Sequence, residues 1–298
     1  MIYFPHRRST ILCLLTVALA TTSALAQDKY QLKDTHAAGD VSDNESTMEM
    51  SLKMLATTEG QQLPPMLFGN RQREKYQETV LAVDEAGKST AIRRVYSVAH
   101  ALDTEPGAKP KQTTSSLEGK TVTVRREGQQ VNVTTAAGQL SPKDRKDLMD
   151  ALDNAQDEIY PDHEVALGDE WTADAKSLAH SMGGAEKATV TGKLLEIVTY
   201  AGHQSAHIQI SIDVVGNLAN SPMKMEMKLS GDLYHALDIQ RPLALIATGP
   251  LTAKGQTKSA GHVIDMVSQG TMKMQMTAHW QQIAGKAQPA TPTTPAAP

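Results

Sequence analysis

The sequence reads as a mainly β protein: a long curved antiparallel sheet, open and half-barrel-like, with one central amphipathic helix. Three observations lead there. Apolar residues recur at every second position over long stretches, the period of strands with one buried and one wet face. Glycines at Gly202, Gly216, Gly249, Gly255 and Gly270 punctuate those stretches as breaks expected between successive strands of an antiparallel meander. A single segment, opening at Ser141, carries its apolar residues at helical spacing instead.

Residues 1–26 read as an export signal. Arg7 and Arg8 precede an apolar run from Ile11 to Ala20, and small residues ending Ala24-Leu25-Ala26 mark a cleavage site before Gln27. The expected location is therefore periplasmic or secreted. The apolar run is about half of the ~20 residues that cross a bilayer, so no transmembrane anchor is expected in the mature chain. Cys13, the one cysteine, lies inside that run, which leaves the mature chain without disulfides, thiol nucleophiles or thiolate metal ligands.

The strands follow in order. Met48, Met50, Leu52 and Met54 alternate with polar neighbours, and Ile92, Tyr96 and Val98 share a face with Arg94. Val122 and Val124 lead through Glu127-Gly128 to Val131 and Val133, the pattern of a β-hairpin. In the second half Ala206, Ile208, Ile210, Ile212 and Val214 alternate, then Met223, Met225, Met227 and Leu229, and finally Met272, Met274 and Met276.

The helix is expected over about residues 141–158. Ser141 caps it, Pro142 suits the first helical position, Asp144 favours the positive end of the dipole, and Leu148, Leu152, Ala155 and Ile159 form one stripe. One stripe serves one core, so we read residues 27–284 as a β-rich domain whose sheet the helix covers; two halves, 27–140 and 160–284, are the alternative. Residues 285–298, rich in Pro, Ala and Thr, have no apolar periodicity and read as a disordered tail.

Composition narrows the function classes. Hydrophobic residues make up 40% of the chain, enough for a core, but aromatics are only 4% while there are 14 methionines. Methionine replaces the usual aromatic filler. A net charge of −4 gives no basic footprint, so nucleic acid is not an expected partner.

After the helix comes Pro161-x3-Val165-x2-Gly168-Asp169-x-Trp171. This run resembles a motif in a family of bacterial exported β-rich proteins whose function is unassigned, where it similarly follows a helix and precedes a second set of strands. Tyr30-x-Leu32 and the Met-rich strands are similar too. Physically, Gly168-Asp169 suits a turn, and Trp171 starts a strand with its indole buried where the helix meets the sheet. The order of long strands around one helix also resembles the half-barrels that carry lipoproteins or lipids across the periplasm.

That second resemblance implies a concave face lined by Met48, Met50, Leu52, Met54, Ile208, Ile210, Ile212, Met223, Met225, Met227, Met272, Met274 and Met276. Unbranched, polarizable methionine suits irregular acyl chains, and an apolar small molecule or lipid is the expected partner, with an envelope protein as another. The same side chains also make an ordinary dry core. Two other readings stay open. Met-x-Met spacing places thioethers on one side of a strand, as Cu(I) requires, although His279 falls on the opposite face from Met272, Met274 and Met276. A hydrolase of envelope material assembled from residues remote in sequence is the other. His203 and His207 lack the helical zinc pattern, Asp162-His163-Glu164 has no nucleophile beside it, and no Gly-x-Ser-x-Gly elbow or phosphate-cradling loop occurs. No cofactor and no catalytic residue is expected on this reading.

Overall fold

The computed structural model describes residues 28–153, 159–175, 185–217, 223–259 and 262–282. The expected signal and tail lie outside them. In chain order the elements are β1 (Lys29–Tyr30), β2 (Val41–Thr58), β3 (Gln61–Gln62), β4 (Met66–Val83), β5 (Ser89–Thr104), β6 (Lys111–Thr114), β7 (Thr121–Glu127), β8 (Gln130–Thr135), α1 (Pro142–Asp153), β9 (Val165–Ala166), β10 (Glu170–Asp174), β11 (Lys187–Tyr200), β12 (His203–Asn217), β13 (Lys224–Ala236), β14 (Arg241–Ser259) and β15 (His262–Gln282).

One 13-stranded antiparallel sheet runs in the order β10-β11-β12-β13-β14-β15-β2-β4-β5-β7-β8, with β3 beside β2 and β6 beside β5. Among the described residues its end strands, β10 and β8, do not pair with each other, so the sheet stays open. β1 and β9 form a separate two-stranded ribbon. Strand β15 joins the two halves of the chain, pairing with β14 on one side and β2 on the other. The expected hairpin is β7 and β8, in register from Glu127↔Gln130 to Val122↔Thr135.

Cross-strand partners share a face. One row runs across seven strands as Met48, Met274, Ala247, Gly231, Ile210, Gly192 and Trp171. A second contains Leu52, Gly270, Leu251, Met227, Val214 and Ala188. This face forms the main core cluster, to which Leu32, Tyr160 and Val165 add from the ribbon side.

Several glycines expected as breaks prove to be strand interior. Gly249 and Gly255 lie within β14 and Gly270 within β15. A Cβ on Gly231, Gly249 or Gly270 would stand 1.8 Å from a backbone carbonyl oxygen of the adjacent strand. Glycine here permits the close approach of the adjacent strand.

The helix begins at Pro142 as expected, with the Ser141 hydroxyl accepting from the Asp144 amide at 3.0 Å. The stretch expected to extend it through 154–158 is outside the described residues. α1 covers one end of the sheet only: Leu148 joins Ile92, Tyr96, Val122, Val124 and Val133 in a second cluster. In β5 a register shift beside the Lys75/Tyr76 step changes the face, so that Tyr96 is followed inward by Ala99 rather than by Val98.

Candidate binding face

The apolar residues singled out in the sequence come together on the inner face of the sheet. Ile208, Ile210, Ile212, Met223, Met225, Met227, Met272, Met274 and Leu52 are buried in one cluster. Met48 and Met50 pack against that cluster and are, like Met54, half-buried, and Met276 is 38% exposed. The face therefore grades from packed core at β12 and β13 to an accessible stripe at β15 and β2. Beyond β2 the same face continues through Met66 and Phe68, the partners of Met54 and Leu52.

Two direct cross-strand pairs, Met48↔Met274 and Met50↔Met272, make a grid of four thioethers. His279 pairs with Asp43 and is turned to the outer face. Among the described residues no group of three or more His, Cys, Asp or Glu side chains converges in a way that could hold a metal ion.

The motif residues are positioned by backbone geometry. Val165 is fully buried opposite Tyr30, Pro161 leads into the turn, and Gly168 adopts a φ of 88° that favours glycine. Asp169 Oδ2 accepts from the Ala166 amide at 2.9 Å, and the Asp169 carbonyl accepts from the Leu194 amide. Trp171 donates its indole N–H to the Ile159 carbonyl at 3.0 Å. Its ring lies in the main core over Gly192, not with the α1 cluster, so the expected seat between helix and sheet is corrected to one on β11.

Farther along the same face, sequence reasoning missed a polar cleft of about 350 Å³. Its floor is a cross-strand row, Trp280, Ser42, Glu78 and Arg94. Leu152 of α1 and, from the segment before β2, Asp34 and His36 also line it. Arg94 Nε donates to Glu78 Oε2 at 2.7 Å, and its guanidinium lies 4.6 Å from the centre of the Tyr76 ring. Burial pushes the Tyr76 hydroxyl and the Glu74 carboxyl above their ordinary pKa ranges.

Beside the cleft, Arg241 Nη2 donates to Asp40 Oδ2 at 2.5 Å in a fully buried pair, and its guanidinium stacks over Trp280. His235 Nδ1 meets the Tyr160 hydroxyl at 2.8 Å, and burial holds the imidazole pKa down at about 4. Asp34 Oδ1 faces His36 Nε2 at 3.2 Å, and among the described residues His36 Nδ1 and Arg241 Nε are buried without a hydrogen-bond partner.

On the outer face, His207 is bracketed by Glu196 at 3.1 Å and Asp232 at 2.8 Å and stacks on Tyr234. Desolvation works against the imidazolium, but the hydrogen bonds to Asp232 and Glu196 outweigh it and raise the His207 pKa. His203 has the neighbouring carboxylate Asp238 at 3.0 Å. Asp162 and His163 are exposed in the turn after α1, apart from either cleft or stripe.

No protein-family model and no curated protein matches the sequence. The fold is similar to that of a solved structure of lipovitellin concerned with lipid–protein interactions, at a TM-score of 0.43 and 8% identity over 84% of this chain. The match covers 26% of that chain, so this protein spans about a quarter of its length. Among the described residues no helix is long and apolar enough to cross a membrane.

Proposed function

We propose that this protein is an exported binding protein that holds an apolar, lipid-like ligand against the methionine stripe of β15 and β2. The observation that carries the reading is the gradient on one face: Met272 and Met274 are buried, while Met48, Met50, Met54 and Met276 beside them remain accessible. Apolar surface left open next to a core marks an interaction site. Thioether side chains, with three rotatable bonds each, adapt to a chain of no fixed shape better than branched ones do. Export and membership of the exported β-rich family belong to the same proposal, resting on residues 1–26 and on the Pro161 to Trp171 motif.

Native mass spectrometry of the protein purified gently from an exporting host tests the reading. Heterogeneous additions in the mass range of membrane lipids, lost on organic extraction, are expected. A bare chain that also fails to take up oleate or phospholipid from vesicles would overturn it.

A further inference from the structure

The described methionines of the strands all stand on the inner face of the sheet. Met48, Met50 and Met54 of β2 share it with Met272, Met274 and Met276 of β15; Met66 pairs with Met54, Met266 with Ala56, and Met225 and Met227 belong to the core cluster beneath. Among the described residues the outer face carries no methionine. The one cysteine, Cys13, lies outside them, so thioethers are their only oxidisable sulfur. Two-electron oxidation turns such an apolar side chain into a polar sulfoxide. An oxidant therefore acts on the polarity of one face.

Access and surroundings are graded along β15. Met272 is 8% exposed between Gly249 and Met50, and Met274 is 6% exposed between Ala247 and Met48. Met276 is 38% exposed, more than any other described methionine, and its partners are Leu245 and Ser46. The serine makes a chemical difference. A sulfoxide oxygen removed from water without a donor costs about 1–3 kcal/mol, as any unsatisfied acceptor does. Directly opposed residues have their Cβ atoms ~5 Å apart, within reach of a hydroxyl and a sulfoxide. Ser46 brings a donor to Met276, whereas the side chains opposite Met272 and Met274 have none. The row continues from Ser46 to Glu74, so Met276 stands where the face turns from apolar to polar.

We infer that Met276 is a reversible oxidation site, its sulfoxide accepting from the Ser46 hydroxyl, and that this modification closes the accessible end of the methionine stripe to an apolar ligand. With hydrogen peroxide as oxidant, a lone pair of the Met276 sulfur attacks one peroxide oxygen. The S–O bond forms as the O–O bond breaks, sulfur gives up two electrons, and the departing hydroxide takes the proton of the transferred oxygen to leave as water. A thiol-dependent sulfoxide reductase reverses the change, removing the oxygen as water while two thiols become a disulfide. In the stripe, the S–O dipole is a group that an acyl chain must desolvate in order to cover. The closing role rests on the apolar-ligand reading above; the oxidation site does not.

The test treats the purified protein with limiting hydrogen peroxide and maps added oxygen by fragment mass spectrometry. Met276 should react first, at least ~5-fold faster than Met272 or Met274. Reaction of all three at one rate would overturn the site. Ser46→Ala should move the melting temperature of the reduced protein by less than ~1 °C and lower that of the oxidised protein by ~3 °C or more. An equal effect on both forms would overturn the Ser46 contact. The same peroxide dose should cut oleate uptake at least ~5-fold in the wild type and less than ~1.5-fold in Met276→Leu, each measured against its own reduced form. Equal uptake by reduced and oxidised wild type would overturn the closing role. Uptake by neither form would overturn the ligand reading and the closing role together, with the order of oxidation and the Ser46 effect still deciding the site.

Discussion

Trp171 lies so close over Gly192 that a Cβ added to the glycine would stand 2.3 Å from the indole Cζ2. The two residues are direct partners of β10 and β11. The ring fills the space that any other residue at 192 would occupy, while its N–H satisfies the Ile159 carbonyl. Gly192→Ala should therefore displace the indole and cost about 1–3 kcal/mol, as overpacking does. Chemical denaturation followed by tryptophan fluorescence measures it; an unchanged midpoint with unchanged emission would show that the ring has room to move.

Much of the sheet was legible because burial and period coincide. Ile208, Ile210 and Ile212 alternate with Gln209 and Ser211, so a one-residue slip would expose the whole set. The glycines were not legible: an absent Cβ looks the same in sequence whether it serves a turn, as at Gly202, or a close strand approach, as at Gly270. The cleft was hidden for another reason. Asp34, Arg94 and Trp280 meet only because β15 returns to pair with β2, an arrangement that no local spacing encodes. The bulge in β5 likewise exchanges Ala99 for Val98 without a mark in the alternation.

Asp40 and Arg241 form an ion pair with both side chains essentially out of water. Breaking such a pair from one side leaves an uncompensated buried charge, so Asp40→Ala should destabilise by about 3–5 kcal/mol. Arg241→Ala should cost a comparable amount, because it also strips the guanidinium from Trp280. The double variant should cost clearly less than the sum of the two. Urea midpoints of the four proteins decide this; additive losses would mean that the pair does not couple.

His235 and His207 oppose each other in their pH dependence. His235 stays neutral in the fold down to about pH 4, whereas an unfolded histidine charges near pH 6.5. Above pH 6.5 both states are neutral at this site and nothing is lost. Between about 6.5 and 4 the unfolded chain takes up a proton that the fold refuses, costing roughly 3 kcal/mol by the lower limit. His207 has a raised pKa, so its contribution is fully present below the unfolded value and is lost as pH rises through the folded one. With solvent-facing carboxylate partners, it should be worth under about 1 kcal/mol. His235→Gln should flatten the acid side of a stability–pH curve, and His207→Gln should remove only the smaller neutral-side decline. A wild-type curve flat from pH 6.5 to 4 would contradict the buried neutral assignment of His235.

The methionine grid makes the sharpest separation between packing and binding. Met272→Leu and Met274→Leu change shape while nearly conserving volume, a kind of swap that costs less than about 1.5 kcal/mol in a core. If these side chains only fill space, the double variant should behave like the wild type in every respect but a small shift in melting temperature. Because Met48 and Met50 face them from β2 and remain accessible, stiffening this half of the grid should narrow the range of acyl chains accepted. Uptake of saturated, mono-unsaturated and branched fatty acids by the two proteins is the measurement. The wild type should accept all three within ~3-fold of one another, and the double variant should separate them by ~10-fold or more. Equal selectivity in both would mean that thioether flexibility contributes nothing to the ligand.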